Sequence, residues 1–171
     1  MAVQRSNASP STAHRLLVTW LTTAVVDGIF ASVLSVVYNS DATRVWKGVA
    51  AVLLGPTAMK GATSTVLIGL VMHLTVALTW SLVFLFLYES SQRLRELARS
   101  RFGVLKVASV YGPFIWLVMS LVVIPLLTHR SPTLSGRWLF QLVAHIPFVA
   151  VPIVWGISRY SQPAAAQTQT A

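Results

Sequence analysis

The chain has 171 residues, 55% hydrophobic and 10% charged, where soluble domains carry about a quarter charged residues. A water-soluble core of this size cannot hide so much apolar surface, so lipid is the expected solvent. The lack of cysteine excludes disulfides, thiolate metal sites and a cysteine nucleophile, and thirteen Lys/Arg against four acids flank apolar segments, which points to anionic lipid headgroups and not to nucleic acid.

Residues 1–15 are polar and basic and read as a disordered cytoplasmic N-terminus. Four apolar runs follow, at about 16–38, 62–88, 104–127 and 138–157, each close to the roughly 20 helical residues that cross a hydrocarbon core. In lipid every peptide group needs an internal partner, so each run is expected to be a helix. Barrel strands would be about ten residues long and alternate in polarity; these runs do neither. The first run reads as an anchor and not as a cleaved signal. It is long, Asp27 interrupts it, and no small-x-small site closes it. The fold class is therefore an all-α, four-helix membrane bundle in one domain, 16–159, with a disordered tail at 160–171.

Two connectors stand out. Residues 43–56, "TRVWKGVAAVLLGP", are too short to span and predict an interfacial or re-entrant helix between the first two spans. Residues 89–102, "ESSQRLRELARSRF", read as a charged, solvated loop. The alternative is an extension of the second span, with Glu89 and Arg93 paired one turn apart and Leu94, Leu97 and Phe102 in the headgroup layer. Arg93, Arg95, Arg99, Arg101, Arg44 and Lys47 are the candidate headgroup contacts. One side would hold eight Lys/Arg and the other five, which predicts both termini in the cytoplasm.

The residues that need explaining are the ionisable ones within the spans: Asp27, His73 and His145. Aspartate at the bilayer centre costs at least about 2.5–3.5 kcal/mol on insertion scales, so such groups turn inward and find partners. At 1.5 Å per residue they lie about 16, 22 and 18 Å from the cytoplasmic ends of their spans. A shared buried polar cluster follows, with Gln141 one turn before His145 and Tyr111 beside the Gly112-Pro113 dipeptide, where a proline frees a carbonyl. An Asp–His pair of structural or proton-sensing role is the leading reading. Two sharper alternatives are haem b held by His73 and His145 as axial ligands, and a divalent metal held by those histidines with Asp27. No hydrolase elbow, zinc-protease motif or phosphate loop occurs, so no catalytic residue and no obligatory cofactor is expected.

In order along the chain, "VVDGIFASVLSVVY", "MHLTVALTWSLVFLFLY", "YGPFIWLVMSLVVIPLLT" and "AHIPFVAVPI" resemble the small four-span bacterial inner-membrane proteins of the YagU-like kind. The resemblance covers about residues 27–159 and points to Asp27, Gly28, His73, Tyr111, Gly112, Pro125 and His145. It implies location and topology, not an activity. The sequence thus predicts a non-enzymatic multi-pass protein, an accessory subunit or homo-oligomer whose partners are lipids, other membrane subunits or copies of itself. A haem-binding redox subunit and a transporter or channel component are the alternatives.

Overall fold

The computed structural model describes residues 11–38 and 40–159; the expected disordered segments at 1–10 and 160–171 lie outside them. Six helices make up the described residues: α1 (Thr12–Val37), α2 (Arg44–Leu54), α3 (Thr63–Ser90), α4 (Gln92–Arg99), α5 (Gly103–Thr128) and α6 (Gly136–Arg159). A short 3-10 turn, Pro56–Lys60, joins α2 to α3. Four of them, α1, α3, α5 and α6, are long and apolar enough to cross a membrane, the build of a multi-pass membrane protein. They run up and down, so that the start of α1, the end of α3, the start of α5 and the end of α6 share what we call the termini end. The opposite end carries α2 and is called the α2 end.

Serine caps open three helices. Ser11, Ser91 and Ser135 accept from the backbone N–H three residues on, at His14, Leu94 and Trp138, each at 3.2 Å. Each cap satisfies one of the donors that a helix start leaves unpaired. Residues 12–15 are thus the first turn of α1 and not part of a disordered leader. α1 is inside-out compared with a soluble helix. Leu17, Leu21, Val25, Ile29 and Val33 form an exposed stripe, whereas Arg15, Thr19, Thr23 and Ser35 are buried. Four-residue spacing puts each set on one face, and a membrane solvent explains why the polar face is the inner one.

Prolines shape the last two spans. Ile124 N–H bonds Met119 O, and Val151 N–H bonds Ile146 O, a five-residue step in place of four. Each widened turn lies just before a proline, Pro125 or Pro152, which lacks an N–H and crowds the carbonyl four residues back. The break expected at Gly112-Pro113 is not there: α5 stays α-helical through Pro113 as far as Val118. Glycine serves close packing instead. A Cβ on Gly112 would lie 2.7 Å from His145 O of α6, and one on Gly69 would overlap the carbonyl oxygen of Trp46. The backbones of α5 with α6, and of α3 with α2, touch at these points.

Residues 89–102 depart from both readings of the sequence. α3 ends at Ser90, Ser91 turns the chain, and α4 starts afresh. α4 tucks Ala98 and Leu94 onto the apolar core that Phe84, Tyr88, Tyr111, Ile115 and Ile153 build in the termini half. Glu89 does not pair with Arg93; it accepts from Arg15 Nη2 at 2.9 Å across the α1–α3 interface. Arg95 Nη1 takes up the end of α3 by donating to Tyr88 O at 3.0 Å and Glu89 O at 2.6 Å.

Candidate functional site

Asp27 and His73 meet in the interior of the bundle. Asp27 is ten residues from the end of α1 and His73 ten from the start of α3, so both lie about 15 Å from the α2 end. His73 Nδ1 is 3.9 Å from Asp27 Oδ2, with His73 14% and Asp27 24% exposed. The other ring nitrogen, Nε2, is 3.0 Å from Ala24 O. A carbonyl only accepts, so Nε2 carries a proton and donates. In the neutral ring Nδ1 is then bare, and Nδ1 is the atom that faces the carboxylate.

α2 closes this pair from the side. Trp46 is buried, its indole stands edge-on to the His73 ring with centroids 5.2 Å apart, and its ring tip lies against Gly28. A Cβ on Gly28 would sit 3.3 Å from that tip and 3.6 Å from His73 Nε2, so a side chain there would compete with both. α2 is the short helix expected between the first two spans, and its Trp46 packs against both of them. It packs mainly along α3, with the Trp46 backbone against Gly69 and its ring reaching Gly28 of α1.

His145 completes the group from α6. Its Nδ1 donates to Gln141 O at 2.7 Å, its ring lies 4.7 Å from that of Trp116, and nine residues from the start of α6 it lies near the height of Asp27 and His73. The structure thus pairs Asp27 with His73 and sets His145 near their height on α6. Gln141 joins through its backbone carbonyl. Tyr111 does not join. Its hydroxyl donates to Trp80 O at 2.7 Å within an aromatic group with Phe84 and Phe114, because α5 turns that face to the core of the termini half. Among the described residues no group of three His, Asp or Glu side chains is placed to hold a metal ion.

A polar line leads from Asp27 to the termini end. Thr23, Thr19 and Arg15 precede Asp27 at four-residue steps, and all three are at least nine-tenths buried. The Thr19 and Thr23 hydroxyls have no hydrogen-bond partner in the protein. Arg15, 8% exposed at its side chain, pairs with Glu89, 51% exposed. The sequence shows this line as polar residues at 15, 19, 23 and 27, and the spacing alone was enough to find it.

The basic residues divide between the two ends. Arg93, Arg95, Arg99 and Arg101 belong to the termini end; Arg101 lies 5.0 Å over the exposed ring of Phe102. Arg44 and Lys47 lie in the first turns of α2. No family model, no curated protein and no solved structure matches the chain.

Proposed function

We propose that this chain is a non-enzymatic protein of the bacterial inner membrane, with both termini in the cytoplasm, whose Asp27–His73–His145 centre holds a proton and responds to its gain or loss. The observation that carries this reading is the placement of His73. Its Nε2–H is committed to the Ala24 carbonyl, so the nitrogen that can change protonation state is the one facing Asp27.

A bare carboxylate beside a neutral ring would leave an uncompensated charge in the bilayer, which is costly. One proton resolves this, either on Asp27 as a neutral acid or on His73 Nδ1 as an ion pair. The two groups act as a single holder of that proton. Gain or loss changes the attraction between α1 and α3, and Trp46 on His73 passes that change to α2. The buried polar line of Thr23 and Thr19 supports exchange with the termini end. Such a protein would act as a subunit of a larger membrane assembly or among copies of itself.

The test is infrared difference spectroscopy of the full chain in lipid across a pH step. We expect one protonated-carboxyl band that vanishes in Asp27→Asn and changes in His73→Gln. A spectrum identical in wild type and Asp27→Asn would end the proposal.

A further inference from the structure

At the α2 end, α2, α5 and α6 line a cleft of 580 Å³. Its wall is largely apolar, with Val52, Leu53, Ile124 and Leu127, and contains no Asp or Glu. Three polar atoms of lining residues have no hydrogen-bond partner in the protein: Trp116 Nε1, Trp138 Nε1 and Ser120 Oγ. Ser120 is only 7% exposed, and the two indoles stand with centroids 6.2 Å apart. Arg130 lines the same cleft.

Unpaired buried donors are uncommon, and each calls for a reason. Helical hydroxyls in this bundle ordinarily return to the carbonyl four residues back. Thr75, Thr79, Ser81 and Ser109 all do so, at 2.8–2.9 Å. Ser120 does not. It lies in the widened turn before Pro125, a kind of irregularity often found at functional sites.

An indole N–H only donates and a serine hydroxyl readily does, so the complementary ligand presents acceptor oxygens. A guanidinium at the cleft, in a wall without acids, adds a preference for negative charge, and phosphate suits arginine well. The apolar wall suits a hydrocarbon body, and tryptophans commonly sit where lipid heads meet chains. We propose that this cleft binds one anionic phospholipid, with Trp116, Trp138 and Ser120 donating to its phosphate and ester oxygens and Arg130 pairing with its charge.

The experiment is native mass spectrometry of the full chain in detergent with added phosphatidylglycerol. We expect one tightly retained lipid, with phosphatidylcholine of the same chains retained about tenfold less. Trp116→Phe with Trp138→Phe keeps both rings and removes both N–H groups. It should lower retention by about tenfold or more at unchanged helical content. Should the double variant not fold, Trp138→Phe alone reads the loss of one donor. Arg159→Gln, at the other end, should change nothing. Equal retention by the folded double variant or, failing that, by Trp138→Phe overturns the proposal. So does full displacement by millimolar inorganic phosphate, which would identify a site for the free anion.

Discussion

The indole of Trp46 stands edge-on to the imidazole of His73 at 5.2 Å between centroids. A helix too short to cross the bilayer is thereby fixed to the ionisable centre of the bundle. Connector and centre are one unit, and a change at either is felt at the other.

Replacing Trp46 with alanine should therefore be the costliest single change in α2. A large, nearly fully buried aromatic residue lost from a packed site costs about 3–5 kcal/mol. Unfolding of the purified protein in mixed micelles would measure it. Hydrogen exchange should show the amides of α2 exchanging faster, while those of α5 hold. Equal protection of α2 in wild type and variant would mean that Trp46 does not dock it.

Gly69→Ala places a methyl group against the Trp46 carbonyl oxygen. Backbone cannot yield as a flexible side chain does, so α2 must move off α3, at about 1–3 kcal/mol. Gly48→Ala, whose added Cβ meets nothing within 4 Å, is the matched control and should be neutral or slightly stabilising. A cysteine pair placed across α2 and α3 would report the displacement as slower crosslinking in the Gly69 variant alone.

Removing the carboxylate at the termini end by Glu89→Gln should weaken the α1–α3 contact only modestly. Glu89 is half exposed, so the pair contributes about 1 kcal/mol or less, and Arg15 keeps its bond to Thr12 Oγ1 at 3.2 Å. A double-mutant cycle with Arg15→Met isolates the coupling. A coupling near zero would show that Arg15 is held in place by its other contacts.

The turn between α1 and α2 should loosen in acid. The hydroxyl of Thr43 donates to the Asp41 carboxylate, its N–H does so at 2.8 Å, and together they hold that pKa below the ordinary carboxylate range. A lowered folded-state value means the turn is fully supported above the unfolded pKa of about 3.9 and loses this support as pH falls through the depressed value. Carboxyl carbon shifts of Asp41 across an acid titration would follow it. A midpoint above the ordinary value would contradict the bonding.

The four spans, their ends to within four residues and the shared depth of Asp27, His73 and His145 were all legible in the sequence. Length and hydropathy fix how far each helix reaches, and the rise per residue fixes height. Rotation about the helix axis was harder to read, because a span surrounded by lipid is apolar on nearly every side. Tyr111 was therefore placed at the right kind of depth but in the wrong group. Trp46 reads as an interfacial anchor on composition, and only the glycine opposite it, Gly69, lets it come in. The separate helix α4 depends on the local Ser91 cap and on Leu94 and Ala98 finding the core, and the latter is decided by contacts distant in sequence.

Nitrogen-15 spectra of the histidine rings, recorded on the full chain in lipid over a pH range, bear most directly on the proton-holding centre. We expect His73 to keep its Nε2–H at every pH, its Nδ1 alone to change state, and this change to be altered in Asp27→Asn. A His73 ring protonated on Nδ1 with a bare Nε2, or a profile untouched by the Asp27 substitution, would contradict this.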